Sequence, residues 1–204
     1  MDPIKKTMQT YDEIAEEYCR ITEEEGDREY QGKMLDRTLD LLPSKPRIID
    51  LGCGDGRDTD YLRKKGADVV GIDLSKSMIA LARKKYSERT FLYSDMRDTV
   101  FPDDTFQGAW ASTSLSNIPK SQFSAVEKEV YRILEKGGIF CFSFKLGEGE
   151  GFEETLVEGY ETYQSYYTLE ELKKMMNLFD IIDTREHPGK VFDSEFMYCW
   201  TRSR

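Results

Sequence analysis

Three closely spaced glycines and two acids carry the clearest chemistry in this 204-residue sequence. The run Asp50-Leu51-Gly52-Cys53-Gly54-Asp55-Gly56 ends one apolar segment, and Asp73 ends the next, 21 residues after Gly52. Glycines at a strand-to-helix turn let the backbone bend sharply and let a ligand approach the main chain. A carboxylate closing the second strand can accept the hydroxyl protons of a ribose. Dinucleotide enzymes and nucleoside-binding enzymes both need this pair, and the glycine spacing separates them. A G-x-G-x-x-G pattern would place its third glycine at Arg57, whereas this chain reads G-x-G-x-G followed by Arg57-Asp58. Asp58 sets a negative charge where a pyrophosphate would sit, at a helix start that otherwise favours anions. A ligand without phosphates fits better, and a nicotinamide-dependent oxidoreductase is disfavoured.

Other chemistries find little material. One histidine, His187, and four scattered cysteines (Cys19, Cys53, Cys141, Cys199) offer neither zinc spacing nor a Ser-His-Asp set, so no metal is expected. In a reducing compartment those cysteines read as small buried hydrophobes. With 29 Lys plus Arg against 39 Asp plus Glu, the net charge of −10 makes nucleic acid an unlikely partner. No apolar run reaches the roughly 20 residues needed to span a bilayer, and the N-terminus lacks the apolar core of a secretory signal. The expectation is a cytoplasmic chain, without membrane association, whose partner is a small molecule, a cationic group or a protein. A composition of 39% hydrophobic and 33% charged residues suits one globular domain of this length.

The elements that position these residues follow from periodicity. Thr10-Tyr11-Asp12-Glu13 fits a capping box, and Tyr11, Ile14, Tyr18 and Ile21 then recur at helical spacing. Met34, Leu35, Thr38, Leu39 and Leu42 form a second stripe, which ends at Pro43-Ser44-Lys45-Pro46. Residues 1–45 therefore read as an N-terminal helical cap. From 46 to 146 strands and helices alternate, with strands at 48–51, 68–73, 90–93, 106–111 and 139–145. A long amphipathic helix from Phe123 runs to Gly137-Gly138. Such alternation predicts an α/β fold, a doubly wound and mostly parallel sheet with helices on both faces. Residues 147–167 form an acidic, tyrosine-rich insertion, mobile at Gly147–Gly151. Residues 168–204 hold a capped helix from Thr168 and two strands, 179–184 and 195–202, joined by a loop containing His187-Pro188-Gly189.

The chain resembles the class I S-adenosylmethionine-dependent methyltransferases of the small, seven-stranded kind. The carrying text is IIDLGCGDG from Ile48, GIDLSKSMIALARKK from Gly71, Ser94-Asp95-Met96, FPDDTFQGAWASTSLSNIP from Phe101, and VYRILEKGGIF from Val130. The resemblance implies S-adenosyl-L-methionine as cofactor and a final antiparallel strand in the sheet. It puts Asp50, Gly52, Cys53 and Gly54 at the methionyl part and Asp73 at the ribose hydroxyls. Leu74 and Met78 would pack on the adenine, Asp95 with Met96 would meet its amino group, and Ala111 with Ser112 would lie near the sulfonium. The leading helix of such enzymes folds over the cofactor, which brings in Tyr11 and Tyr18, although both also fit plain packing on an amphipathic helix. Three departures stand out: Gln107 replaces the usual acid, Glu135-Lys136-Gly137-Gly138 replaces Lys-Pro-Gly-Gly, and Ser116-Asn117 replaces a common His-His pair. The last touches the acceptor pocket.

Methyl transfer from a sulfonium needs proximity and a dry pocket more than a dedicated base, so no catalytic residue is assigned. Tyr18, Asn117, Lys145 and His187 are the candidate contacts to a substrate, and Lys145 and His187 the candidates for proton removal. Absence of an Asn-Pro-Pro-Tyr or Asp-Pro-Pro-Tyr sequence after the fourth strand argues against amino-methylation of DNA. Glu148, Glu150, Glu153 and Glu154, with Tyr160, Tyr163, Tyr166 and Tyr167, could frame a cationic pocket or simply a solvated acidic loop. The expected activity is transfer of a methyl group to a small-molecule acceptor. A methyltransferase acting on a protein or tRNA, and a non-catalytic cofactor-binding protein, are the alternatives. The sequence leaves oligomeric state open.

Overall fold

A computed structural model describes residues 2–187 and 195–204; Pro188-Gly189, read above as part of a loop, lie outside the described residues. Helices α1 (Pro3–Glu25) and α2 (Arg28–Asp40) precede β1 (Arg47–Leu51), α3 (Arg57–Lys64), β2 (Asp68–Asp73), α4 (Lys76–Lys85), β3 (Thr90–Tyr93) and β4 (Phe106–Ala111). Then come α5 (Phe123–Ile133), β5 (Leu134–Leu146), β6 (Glu150–Glu154), β7 (Glu161–Tyr167), α6 (Leu169–Met175), β8 (Phe179–His187) and β9 (Phe196–Ser203). Short 3-10 turns at Leu115–Asn117 and Lys120–Gln122 link β4 to α5.

The first five strands pair in parallel in the order β3-β2-β1-β4-β5. Strand β9 runs antiparallel along Ile139–Lys145 of β5, and β8 pairs antiparallel with β9. The expected seven-stranded sheet is therefore β3-β2-β1-β4-β5-β9-β8. Two further strands were not foreseen: β6 and β7 form an antiparallel hairpin that joins in parallel at Lys145 and Leu146, the last two residues of β5. So the insertion at 147–167 is ordered chain, and Gly147–Gly151 runs into β6. No helix among the described residues is long and apolar enough to cross a membrane.

Strand periodicity divides the core. Ile49, Leu51, Ile72, Ala109, Phe140 and Phe142 point to one face, under α5. Ile48, Val69, Trp110, Ile139, Cys141, Tyr198 and Trp200 point to the other, against Met34 and Leu35 of α2 and Leu62 of α3. Burial on both faces explains why these strands read as continuous apolar runs. Trp200 Nε1 donates to Thr38 Oγ1 at 2.9 Å, which fixes α2 against that face.

Two helix limits differ from expectation. Helix α1 begins at Pro3, with Asp2 as N-cap accepting from Ile4 N at 3.0 Å, and Thr10 lies inside it. Buried Thr10 instead donates to Glu161 O at 2.9 Å, and Tyr163 N donates to Thr7 Oγ1 at 2.9 Å, which ties α1 to the hairpin. Asp12 Oδ1 accepts from Ser75 Oγ (2.7 Å) and Ser77 N (3.0 Å), which ties α1 to the start of α4. The long helix stops at Ile133 because Leu134 pairs with Phe106 of β4 and begins β5.

Candidate functional site

A cavity runs across the carboxyl ends of the parallel strands and beneath α1, where open α/β sheets bind ligands. It is lined by Gly52, Cys53 and Gly54 of the β1–α3 turn, Asp73 and Leu74 after β2, Asp95 and Met96 after β3, and Ser112, Thr113 and Ser114 after β4. Tyr11 and Tyr18 of α1, Met78 of α4, Asn117, and His187 of β8 also line it.

Local backbone chemistry shapes the turn. Gly52 has φ +74°, and a Cβ there would fall 2.3 Å from Ser114 Cβ, so only glycine admits this approach of two loops. Gly52 N and Cys53 N donate to Ile72 O, at 2.8 and 2.9 Å. Gly54 N donates to Asp73 Oδ2 at 3.0 Å and Ser75 N to Asp73 Oδ1 at 2.8 Å, so the carboxylate is held at both oxygens with lone pairs left over. Burial pushes the Asp73 carboxyl above its ordinary range, against these backbone bonds.

The expected residues divide in three ways. Tyr11, Gly52, Cys53, Gly54, Asp73, Leu74, Met78, Asp95 and Met96 line the cavity, as do Tyr18, Asn117 and His187. Tyr11 and Tyr18 meet edge to face at 5.2 Å, and burial raises both phenols. Asn117 Nδ2 donates to Tyr11 OH at 3.5 Å, and Asn117 Oδ1 accepts from Gln164. Asp95 lines the cavity but is engaged by the guanidinium of Arg97, with Nε 2.9 Å from Oδ1. Burial favours the neutral carboxyl there, and the Arg97 bonds outweigh it to hold the carboxyl below its usual range.

Asp50, Ala111 and Lys145 do not line the cavity. Asp50 is buried beneath the turn, where Oδ2 accepts from Thr59 Oγ1 at 2.6 Å, so it braces α3. Ala111 is enclosed within the sheet, and the residues after it reach the cavity. Lys145 sits at the β5–hairpin junction, its Nζ 3.8 Å from Glu153 and 5.5 Å from the Tyr166 ring centre, and burial lowers its ammonium. None of the acids or tyrosines singled out in the 147–167 segment lines this cavity. Glu150 accepts from Lys120 N and Ser165 Oγ, Tyr166 OH donates to Glu153, and Gly159 N donates to Glu154. These carboxylates hold the hairpin together.

Several lining residues carried no assignment from sequence. Arg57 Nε pairs with Asp55 at 2.8 Å and Nη2 donates to Thr22 Oγ1 at 3.1 Å, while Nη1 is buried with no partner. Gln31, Asp58 and Tyr198 form a second group, joined by hydrogen bonds to one another and to Ser112, which was expected near the sulfonium. Arg57-Asp58 directly follow the glycines, where Asp58 served only as a charge unfavourable to a pyrophosphate. Gln31 and Tyr198 are 167 residues apart, and nothing local announces them.

These residues suit an adenosyl amino acid. Asp73 retains acceptor capacity for a vicinal diol, and the orphaned Arg57 Nη1 offers a buried donor to a carboxylate. Gly54 opens on empty space where a side chain would stand.

Comparison with known proteins agrees. Residues 48–138 match the family described as a methyltransferase domain. The Bacillus subtilis protein YqeM, whose name calls it a methyltransferase, is 38% identical over 116 residues, covering 52% of this chain and 47% of that protein. The malonyl-[acyl-carrier protein] O-methyltransferase of Enterobacter lignolyticus is 30% identical over 117 residues, covering 56% of this chain and 46% of that one. Each match thus spans about half the length of the curated relative. Among solved structures, the Burkholderia thailandensis 1,6-didemethyltoxoflavin-N1-methyltransferase superposes with a TM-score of 0.74, over 96% of this chain and 86% of that one. At 16% identity it speaks for the fold. Residues 48–138 thus match a methyltransferase domain, on a fold shared with solved methyltransferases.

The buried acids make the cofactor-free protein sensitive to pH. Burial, and then the charge of Asp58, push the Asp50 carboxyl well above its ordinary value. The unfolded chain ionises this group near pH 4, while the folded chain resists. Its contribution therefore erodes stability as pH rises from about 4 through the raised value, then levels off. Asp50→Asn, which keeps an oxygen for Thr59, is expected to flatten that slope in urea unfolding between pH 4.5 and 8. Parallel curves for the two proteins would refute the assignment.

Proposed function

We propose that this chain transfers a methyl group from S-adenosylmethionine to a small-molecule acceptor. One observation carries this reading: the cavity continues without a break from the Gly52–Asp73 cradle to the wall of Gln31, Asp58, Ser112 and Tyr198. A wall of residues outside the cofactor cradle, on the same cavity, suits a transferase. Cover from α1 and α2 suits an acceptor small enough to be enclosed.

When bound, S-adenosylmethionine supplies a methyl group on a sulfonium whose positive charge already activates the leaving group. The chain's share is to hold, align and dehydrate. Asp73 receives the ribose hydroxyls, Arg57 Nη1 the carboxylate, and Leu74, Met78 and Met96 the adenine. Asp95, already paired with Arg97, borders that end. Helix α1, fastened to α4 by Asp12 and to the hairpin by Thr7 and Thr10, keeps water out. Alignment of this kind can lower the barrier by roughly 7–11 kcal/mol. Cys19, Cys53, Cys141 and Cys199 are all buried thiols, which suits a reducing cytoplasm.

The names of relatives point in the same direction: the malonyl and toxoflavin enzymes are named for small or carrier-borne acceptors. Incubation of the protein with methyl-labelled cofactor and a metabolite extract tests the proposal. Label is expected in a low-molecular-weight product. Label recovered only in protein or RNA would replace the acceptor class, and binding without any turnover would favour a cofactor sensor.

A further inference from the structure

One wall of the cavity is organised around the Asp58 carboxylate. Its Oδ2 accepts two hydrogen bonds, from Trp110 Nε1 at 2.8 Å and from Gln31 Nε2 at 2.7 Å. Gln31 is oriented in turn, because its amide oxygen accepts from Tyr198 OH at 2.5 Å and its nitrogen also reaches Ser112 Oγ at 2.9 Å. Tyr198 stacks on Trp110 with centroids 5.8 Å apart, closing the ring of supports. Two donors therefore end on Asp58, Tyr198 orients one of them, and the network spans α2, α3, β4 and β9. Among the described residues no donor reaches the other oxygen, Asp58 Oδ1, although the residue lines the cavity and is only partly exposed. A carboxylate oxygen fixed in place and kept from protein donors is prepared for a donor that arrives from outside.

The surroundings define that donor. Tyr30 and Tyr198 present aromatic rings to the same part of the cavity, 6.0 Å apart, with the His187 ring 4.0 Å from Tyr30. Asp27 adds a second carboxylate, 3.4 Å from His187 Nε2. Arg57 Nε pairs with Asp55, and Arg28 donates to Thr22 O at 2.9 Å. An anionic group placed against Asp58 would meet a like charge, which disfavours it.

The geometry points to Asp58 as the residue that selects the methyl acceptor, by accepting a hydrogen bond from its nucleophilic O–H or N–H. The acceptor class is a flat aromatic molecule bearing a phenolic hydroxyl or a ring N–H, and not a carboxylate. This inference rests on the methyltransferase reading and gives its acceptor site a chemistry. Trp110, Gln31 and Tyr198 are positioning residues, because they act through Asp58.

A matched pair of probes tests it. Wild-type protein is loaded with S-adenosylhomocysteine, and the affinities of 2-naphthol and 2-naphthoate are measured by ligand-observed NMR, together with those of Asp58→Asn. Naphthol is expected to bind at least about tenfold tighter than naphthoate, the span of one hydrogen bond to a charged group. Asp58→Asn keeps an oxygen for Trp110 and Gln31 but turns an N–H2 toward the cavity, so the preference should collapse or reverse. Affinity for S-adenosylhomocysteine should stay within about threefold, which also reports an intact fold. No preference in the wild type, a preference that survives Asp58→Asn, or no binding of either probe at millimolar concentration would overturn the inference alone. A large loss of S-adenosylhomocysteine affinity with the preference intact would assign Asp58 to the cofactor and also overturn it. Failure of the wild type to bind S-adenosylhomocysteine would instead remove the methyltransferase reading on which it stands.

Discussion

Asp73→Ala is expected to bind S-adenosylhomocysteine about 100-fold more weakly than the wild type, or worse. A hydrogen bond to a charged group contributes roughly 1.5–3 kcal/mol, and in the proposed complex this carboxylate would accept from both hydroxyls of a ribose. The substitution also strips acceptors from Gly54 N and Ser75 N, which hold the glycine turn and the start of α4 in place. The loss therefore has two sources, and Asp73→Asn separates them, since it retains an oxygen for one backbone donor. Asn should recover much of the melting temperature and little of the affinity. Calorimetric titration of the three proteins measures this directly. An Asp73→Ala protein that binds within threefold of wild type would mean the carboxylate only braces the turn.

Gly52→Ala is expected to lose cofactor binding and to unfold at a lower temperature. The new Cβ would lie 2.3 Å from Ser114 Cβ, an atom that cannot swing aside because it is joined directly to the backbone. Ser114 is held further by its hydroxyl, which donates to Leu51 O at 2.7 Å. A non-glycine residue at positive φ costs about 1–2 kcal/mol and overpacking about 1–3 more, so roughly 2–5 kcal/mol is at stake. For a chain of this length that is on the order of 5–20 °C in melting temperature. Gly66→Ala is the control: φ there is +97°, but a Cβ meets nothing within 4 Å, so only the conformational cost applies. Equal behaviour of the two variants would show that the contact with Ser114 is relieved elsewhere.

Legibility of the fold in the sequence followed from how local each cause is. Strands β1, β2 and β4 were readable because each is a short apolar run buried on both faces and bounded by turn residues, as at Ile48–Leu51 and Asp68–Asp73. The start of α1 was misread because a Thr-x-x-Glu pattern also occurs inside helices, while Asp2-Pro3 held the stronger signal of an N-cap followed by proline. The end of α5 was set by pairing between Leu134 and Phe106, a contact across the sheet that helical periodicity does not contain. The hairpin hid behind its composition. Thr162, Gln164, Ser165 and Tyr167 of β7 are the buried residues there, and three of them are polar, so no apolar alternation marked the strand.

The same rule sorts the site. Gly52, Gly54 and Asp73 act through the backbone of one β-α-β unit, and their spacing alone announces them. Asp50 illustrates the limit, since its side chain goes under the turn to Thr59 while its neighbours line the cavity. Gln31, Asp58, Ser112, Trp110 and Tyr198 come from four elements and meet only once the sheet has closed. Their types are ordinary, and no spacing connects them.

The account stands most directly on what the glycine turn and Asp73 bind. Thermal unfolding of the wild-type chain with S-adenosylmethionine, S-adenosylhomocysteine and NAD in parallel measures that. A ligand at one hundred times its dissociation constant adds about 2.7 kcal/mol, or roughly 5–10 °C for a chain of this size. Both adenosyl amino acids are predicted to raise the midpoint by that order and NAD to leave it unmoved. No shift with either adenosyl ligand, or an equal shift with NAD, would contradict the account.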